Sequence, residues 1–170
     1  RGDIVSEESV RRVTRDVLDK FGVIHGVFHL AGATGQSVVH LAADADKEQV
    51  NAITEAKVYG IRNIERAMGD CDLDFVVQFS STAAVLGGVG LSTYAAANAA
   101  AESAANVHRS ISSRTKWISV AWDAWLTSRY DSPTGLPQAL REYAVKPGDA
   151  MKALILLLQS AADGSFVVST

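Results

Sequence analysis

Cysteine is nearly absent: Cys71 is the only one among 170 residues. That excludes a disulfide framework within the chain, and also a thiolate zinc site, which needs several cysteines. A lone thiol fits a reducing, cytoplasmic setting. His25, His29, His40 and His108 show no metal-ligand spacing. His29 lies in an apolar run and reads as a packed core residue. No apolar run approaches the roughly 18 residues of a membrane-spanning helix. The longest, ALILLL at 153–158, suits a buried helix face. The N-terminal stretch RGDIVSEESV is charged and carries no signal-peptide core. Neither sign of charge dominates. With 16 basic and 19 acidic side chains the net charge is -3, which gives no electrostatic case for nucleic acid or an anionic membrane. There is no internal repeat and no low-complexity linker.

Hydrophobic residues make up 48% of the chain, enough for one domain with a sizeable core. Residues 6–22 carry Val10, Val13, Val17, Leu18 and Phe21 at helical spacing, with Ser6 as N-cap and Gly22 as C-terminal stop. An apolar strand follows at 23–32, then a loop over 33–45. Asp46 and Gln49 form a capping-box pattern that opens a helix to about Met68. Further strands are expected at 73–80, 116–124 and 165–170, and further helices at 92–111 and 148–161. Near-continuously apolar strands alternating with amphipathic helices predict a parallel, doubly wound α/β sheet covered on both faces. Ligands in such sheets bind outside the carboxyl ends of the strands. Those ends carry Ala31 and Gly32, then Ser80 and Ser81, then Trp122 to Trp125.

Polar residues gather at the same ends. Tyr94 and Asn98 stand one helical turn apart and share a face. Ser81 closes the preceding strand, and Gly87, Gly88 and Gly90 break the chain between them. Taken alone, these three fit a capping Ser, a packed Tyr and an exposed Asn as well as they fit a site. Lys57 favours the site. Val50, Ile53, Ile61 and Ile64 lie seven and four residues before it and four and seven after it, so Lys57 sits on the inward stripe of its helix. A lysine there is costly unless its charge is paired or used, or unless it snorkels to the surface. Gly60 beside the stripe would let the helix approach the sheet closely. A buried ammonium beside Tyr94 would favour the phenolate and make Tyr94 a better general acid. Ser81 can donate a hydrogen bond to a carbonyl oxygen. Asn98 can hold a water or position Lys57. The set suits proton delivery to a carbonyl oxygen as a cofactor's hydride reaches carbon.

These residues resemble the ketoreductase domain of modular polyketide synthases, a branch of the short-chain dehydrogenase/reductase superfamily. Lys57, Ser81, Tyr94 and Asn98 match its tetrad in type, order and spacing (24, 13 and 4 residues). Most of the superfamily carries Tyr-x-x-x-Lys with the Asn on an earlier helix. Here the two are exchanged, giving YAAAN and AKVYG, as in polyketide and fatty-acid synthase ketoreductases. GVFHLAG, SVAWDAW and FVVST extend the likeness over essentially the whole chain.

The resemblance implies a Rossmann-like fold over residues 1–170, with a substrate lid at about 125–146. It implies NADPH as hydride donor and a β-ketoacyl group on the phosphopantetheine arm of an acyl carrier protein as substrate, within a larger polyketide synthase. Tyr94 would protonate the carbonyl oxygen, Ser81 would hold it, and Lys57 and Asn98 would support a proton relay. Asp3 and the Ile4 backbone would meet the adenine, Ala31 and Gly32 the ribose, and the backbone from Trp122 to Ala124 the nicotinamide.

The sequence departs from the family in two ways. The glycine-rich phosphate loop is absent, so the chain reads as the C-terminal part of the catalytic subdomain. It is expected to need an N-terminal half for tight cofactor binding. Both stereochemical markers are absent too: Thr34, Gly35 and Gln36 stand where one product class has LDD, and Leu86 stands where the other has Trp. Asp123 replaces the more usual Gly after the strand Trp and reads as a tolerated variant. A free-standing reductase of a small carbonyl compound is disfavoured by the Lys/Asn exchange. A non-catalytic scaffold domain is disfavoured by the intact tetrad.

Overall fold

Local signals set the first helix. In the computed structural model, which describes residues 1–33, 38–111, 114–126, 141–161 and 163–170, Ser6 accepts a hydrogen bond from the Ser9 amide and caps α1 (Glu7–Phe21). Gly22, at φ 78°, ends it in the left-handed conformation that glycine adopts without steric cost. Strand β1 (Gly26–His29) follows. It is shorter than the apolar run suggested. A 3-10 turn (Ala42–Asp44) lies in the next loop. Asp46 then caps α2 (Lys47–Thr54) by accepting from the Gln49 amide at 2.8 Å.

The expected single helix to Met68 is interrupted. Residues Glu55–Tyr59 form a π turn before α3 (Gly60–Met68). The Gly60 amide reaches back five residues to the Glu55 carbonyl and also meets that of Lys57. β2 (Phe75–Ser81), a short α4 (Ala83–Leu86) that the sequence pattern did not reveal, α5 (Ser92–Ile111), β3 (Lys116–Trp122), α6 (Pro147–Gln159) and β4 (Gly164–Val168) complete the order.

The four strands run parallel in the order β1-β2-β3-β4. One face buries Val77, Ile118, Val120 and Trp122 against Ala150 and Leu154 of α6. The other buries Val76 and Trp117 against Ile61 of α3 and Ala105 of α5. Each large aliphatic side chain so buried contributes about 1.5–3 kcal/mol. The fold is therefore the doubly wound α/β sheet expected from the alternating pattern. The ALILLL block is only half inward: Leu154 is buried, whereas Ile155 and Leu156 are exposed. A helix with 3.6 residues per turn cannot turn six consecutive side chains to one face.

The register aligns the carboxyl ends, pairing Ser81 with Trp122 and His29 with Gln78. Gln78, fully buried, sets its amide against the Ala101 carbonyl and the Glu102 amide, and with its nitrogen turned to the carbonyl it satisfies both and ties β2 to the middle of α5. Residues 34–36 and most of the expected lid, 127–140, lie outside the described residues. The two ends of that lid meet, since Trp125 bridges Val145 and the Leu126 amide donates to the Val145 carbonyl. Among the described residues, no helix is long and apolar enough to cross a membrane.

Candidate active site

Lys57 sits in the π turn and is 5% exposed. Its Nζ donates to the Phe79 carbonyl at 2.6 Å, two residues before Ser81. Burial lowers its pKa from 10.5 to about 8. The chain gives way to it at Gly32, where a Cβ would stand 2.6 Å from Lys57 Cε. Gly32, expected with Ala31 beside a ribose, thus also makes room for the lysine stem.

Ser81 ends β2. Its Oγ accepts from the Ala83 amide at 3.2 Å, so the hydroxyl proton is left to donate elsewhere. The Thr82 amide donates to the Trp122 carbonyl, which fastens this corner to β3. Tyr94 lies in the first turns of α5 and packs with Val38, Ile53 and Ala97. Ile53 is one turn before Lys57, so the helices that carry the lysine and the tyrosine touch here. The Tyr94 hydroxyl makes no hydrogen bond to a described residue.

Asn98 is fully buried, not exposed as an incidental polar residue would be. Its Nδ2 donates to the Tyr94 carbonyl at 2.9 Å, whereas Oδ1 is buried without a partner. The amide therefore braces its own helix and does not grip Lys57 directly. Its acceptor oxygen is the free end.

The candidate cofactor residues occupy separate corners. Asp3 is exposed, and its Oδ1 accepts from the Val5 amide. Ile4 and Val5 are held by Asn63 of α3, whose Nδ2 donates to both carbonyls at 2.9 Å. Sequence pattern did not single out Asn63, although an amide in a buried helix turn is the sort of signal that would. At the far corner Asp123 accepts from the Ala124 amide and from Ser169 Oγ, linking the ends of β3 and β4. That gives the Asp at this position a structural use. Trp122 is buried and its Nε1 has no partner among the described residues.

His29 is buried, as its apolar run suggested. Desolvation, then the Lys57 charge, lowers its pKa to about 4, against an opposing pull from the carbonyls of Lys57 and Ala56. The ring is neutral in the range where Lys57 titrates. Leu86 is 82% exposed at the end of α4. Among the described residues no cluster of His, Cys, Asp and Glu could hold a metal ion.

Comparison with known proteins agrees with this layout. The family model described as the KR domain matches residues 1–127. A hybrid PKS-NRPS synthetase, iliA, of Neonectria is 31% identical over 147 residues, covering 85% of this chain and 4% of that protein. The chain spans only about 3–4% of the curated relatives it matches first. The solved structure of A-type ketoreductases from a modular polyketide synthase superposes with a TM-score of 0.84 at 29% identity, over 98% of this chain and 34% of that one. The 3-ketoacyl-(acyl-carrier-protein) reductase of Brucella melitensis, solved with NADH, shares the fold at 18% identity and a TM-score of 0.84, over 99% of this chain and 75% of that one.

Proposed function

The chain belongs to the ketoreductase (KR) domain family of polyketide synthases, within the short-chain dehydrogenase/reductase superfamily, and we propose that it reduces a β-ketoacyl thioester, carried on an acyl carrier protein, to the β-hydroxyacyl thioester. The single observation that carries this reading is Lys57: a buried lysine, hydrogen-bonded to the strand that ends in Ser81, on a helix packed against the one that bears Tyr94 and Asn98. A fold that needed only stability would place an apolar side chain there.

In this reading NADPH, when bound, supplies the hydride. Nicotinamide and ribose would rest on the backbone from Trp122 to Ala124 and on Ala31 and Gly32, and the adenine on Asp3 and Ile4. The fit is partial. The carboxyl-end turns are present and close to Lys57, but the family's glycine-rich phosphate loop is absent from these 170 residues, the glycines at 87, 88 and 90 leading instead into the helix that bears Tyr94. Phe21, Val23, Phe28 and Leu30 are exposed around β1 and would pack against a nucleotide-binding half.

Tyr94 donates its proton to the carbonyl oxygen. Ser81, its acceptor lone pair engaged by Ala83, keeps its proton and donates a hydrogen bond to the same oxygen. The Lys57 ammonium stabilises negative charge as it forms on the Tyr94 oxygen. Asn98 would accept from a water that refills the relay, a role its Oδ1 supports by having no hydrogen-bond partner among the described residues. The substrate lid would be the segment at about 125–146, of which 127–140 lie outside the described residues. The other domains of the synthase deliver the acyl chain.

The test is reduction of a β-ketoacyl thioester with NADPH by the domain joined to its nucleotide-binding half. Loss of a general acid costs about 10²–10⁴-fold in rate, so Tyr94→Phe is expected to fall in that range. Undiminished turnover by Tyr94→Phe overturns the assignment.

A further inference from the structure

His29 is 2% exposed and takes no part in the chemistry above. It stands directly behind the π turn. A Cβ on Gly60 would lie 2.9 Å from His29 Cε1, 3.0 Å from Ile4 Cγ1 and 3.1 Å from His29 Nε2, so the ring, with the Ile4 side chain beside it, fills the notch that Gly60 leaves. The carbonyls of Lys57 and Ala56 lie beside the same ring, and its Nε2 hydrogen-bonds to no described residue. A neutral imidazole offers one N–H donor and one acceptor. A π turn widens the helix by one residue and takes carbonyls out of the ordinary ladder, and such turns are frequent at functional sites. An apolar side chain could fill the notch but would present no N–H to those carbonyls.

Register makes this matter. Successive residues of an α-helix are turned by about 100° around its axis. Ile61 and Ile64 anchor α3 on the core beyond the turn. If the π turn relaxed to α geometry, Lys57 would swing relative to those anchors and leave the Phe79 carbonyl.

We infer that His29 is a positioning residue that fills the Gly60 notch, faces the π-turn carbonyls and thereby keeps Lys57 aimed at the carboxyl end of β2. The inference rests on Lys57 belonging to the proposed site. It predicts that His29 acts only through Lys57.

The test is a double-mutant cycle in the domain joined to its nucleotide-binding half, assayed with NADPH and a β-ketoacyl thioester. His29→Phe is expected to lower kcat about tenfold, as a small misplacement of a catalytic group does, with KM for NADPH nearly unchanged. His29→Gln, which keeps an N–H, should recover to within about threefold of the parent. In the Lys57→Met background, His29→Phe should change kcat by less than about twofold, because coupled residues are not additive. A folded His29→Phe with parental kcat overturns the inference, and so does a full tenfold loss in the Lys57→Met background. If Lys57→Met itself keeps parental turnover, the proposed site fails, and the role of His29 with it. If Lys57→Met is impaired and His29→Phe is not, only the His29 role fails. Should His29→Phe not fold, Gly60→Ala applies the test, since its Cβ displaces the ring and leaves the imidazole present; the same Cβ meets Ile4 Cγ1 at 3.0 Å, so KM for NADPH is read alongside and should stay nearly unchanged. Gly60→Ala should lower kcat severalfold in the parent and leave it unchanged in Lys57→Met, and parental kcat in Gly60→Ala overturns the inference.

Discussion

Replacing Lys57 with Met should make the protein less sensitive to pH, with a magnitude set by the burial of the amine. Its pKa falls from 10.5 to about 8 on folding. The folded form therefore releases its proton first as pH rises, and between about 8 and 10.5 the unfolded chain holds more protons. Stability rises with pH in that window, and below it the buried charge is a standing penalty. At pH 7 that penalty is about 3 kcal/mol, and about 2.5 kcal/mol of it is relieved on going to pH 10. Lys57→Met removes the titration. It also strips the Phe79 carbonyl of its donor, which costs about 1–3 kcal/mol. At pH 7 the two effects nearly cancel, leaving the variant from about equal to about 2 kcal/mol more stable than the parent. The cleaner quantity is the difference between the two pH values. Urea unfolding at pH 7 and pH 10 should show the parent gaining about 2.5 kcal/mol more than Lys57→Met. Other titrating groups are common to both proteins and drop out. Equal gains in the two proteins would refute the claim that Lys57 is buried with a lowered pKa.

Gly32→Ala should act on the same lysine from the opposite side. Its Cβ would reach 2.6 Å from Lys57 Cε, so the lysine must move, and kcat should drop about tenfold or more. Thermal unfolding of the same variant tells displacement from collapse: a midpoint that falls sharply would assign the loss to unfolding. Lys116→Met should do the reverse. Lys116 Nζ donates to the carbonyls of Leu158 and Ser160 and caps the carboxyl end of α6. Its loss should cost about 1–2 kcal/mol in urea unfolding and leave kcat unaltered.

The helices were legible in the sequence because their signals are local. Ser6 and Gly22 bound α1 through hydrogen bonds reaching only three or four residues. α5 spans the 92–111 read from its pattern. Strand limits depend on a partner far along the chain. The run at 23–32 pairs only over Gly26–His29, because β2 begins at Phe75 and Ala31 and Gly32 turn away beneath Lys57. A strand's ends are set by the neighbour's register, which an apolar run does not record. The π turn was hidden for another reason. Ile53, Lys57, Ile61 and Ile64 keep a spacing that an unbroken α-helix satisfies equally well, and only Gly60 marked the close approach. Asn98 was rightly placed on the Tyr94 face, but its amide bonds to the carbonyl four residues back. Short polar side chains have that local option, and spacing does not decide when they take it.

The buried polar atoms of this fold are unevenly distributed, and the unevenness favours a site over accident. Five side-chain atoms are buried without a partner among the described residues: His29 Nε2, Ser80 Oγ, Asn98 Oδ1, Ser119 Oγ and Trp122 Nε1. Each such group costs about 1–3 kcal/mol. His29, Ser80 and Trp122 stand at or next to the carboxyl ends of β1, β2 and β3, and Asn98 is on the helix packed over them. Ser119, mid-strand, is the exception. Gln78, in register with both His29 and Ser119, bonds to α5 through both ends of its amide. A chain selected for packing alone would have no reason to leave donors and acceptors open at or next to the ends of three strands. Local rules of burial fail together where function needs them to. Here they fail around Lys57, where a charge, an unsatisfied imidazole and a widened helix turn meet within one layer of side chains.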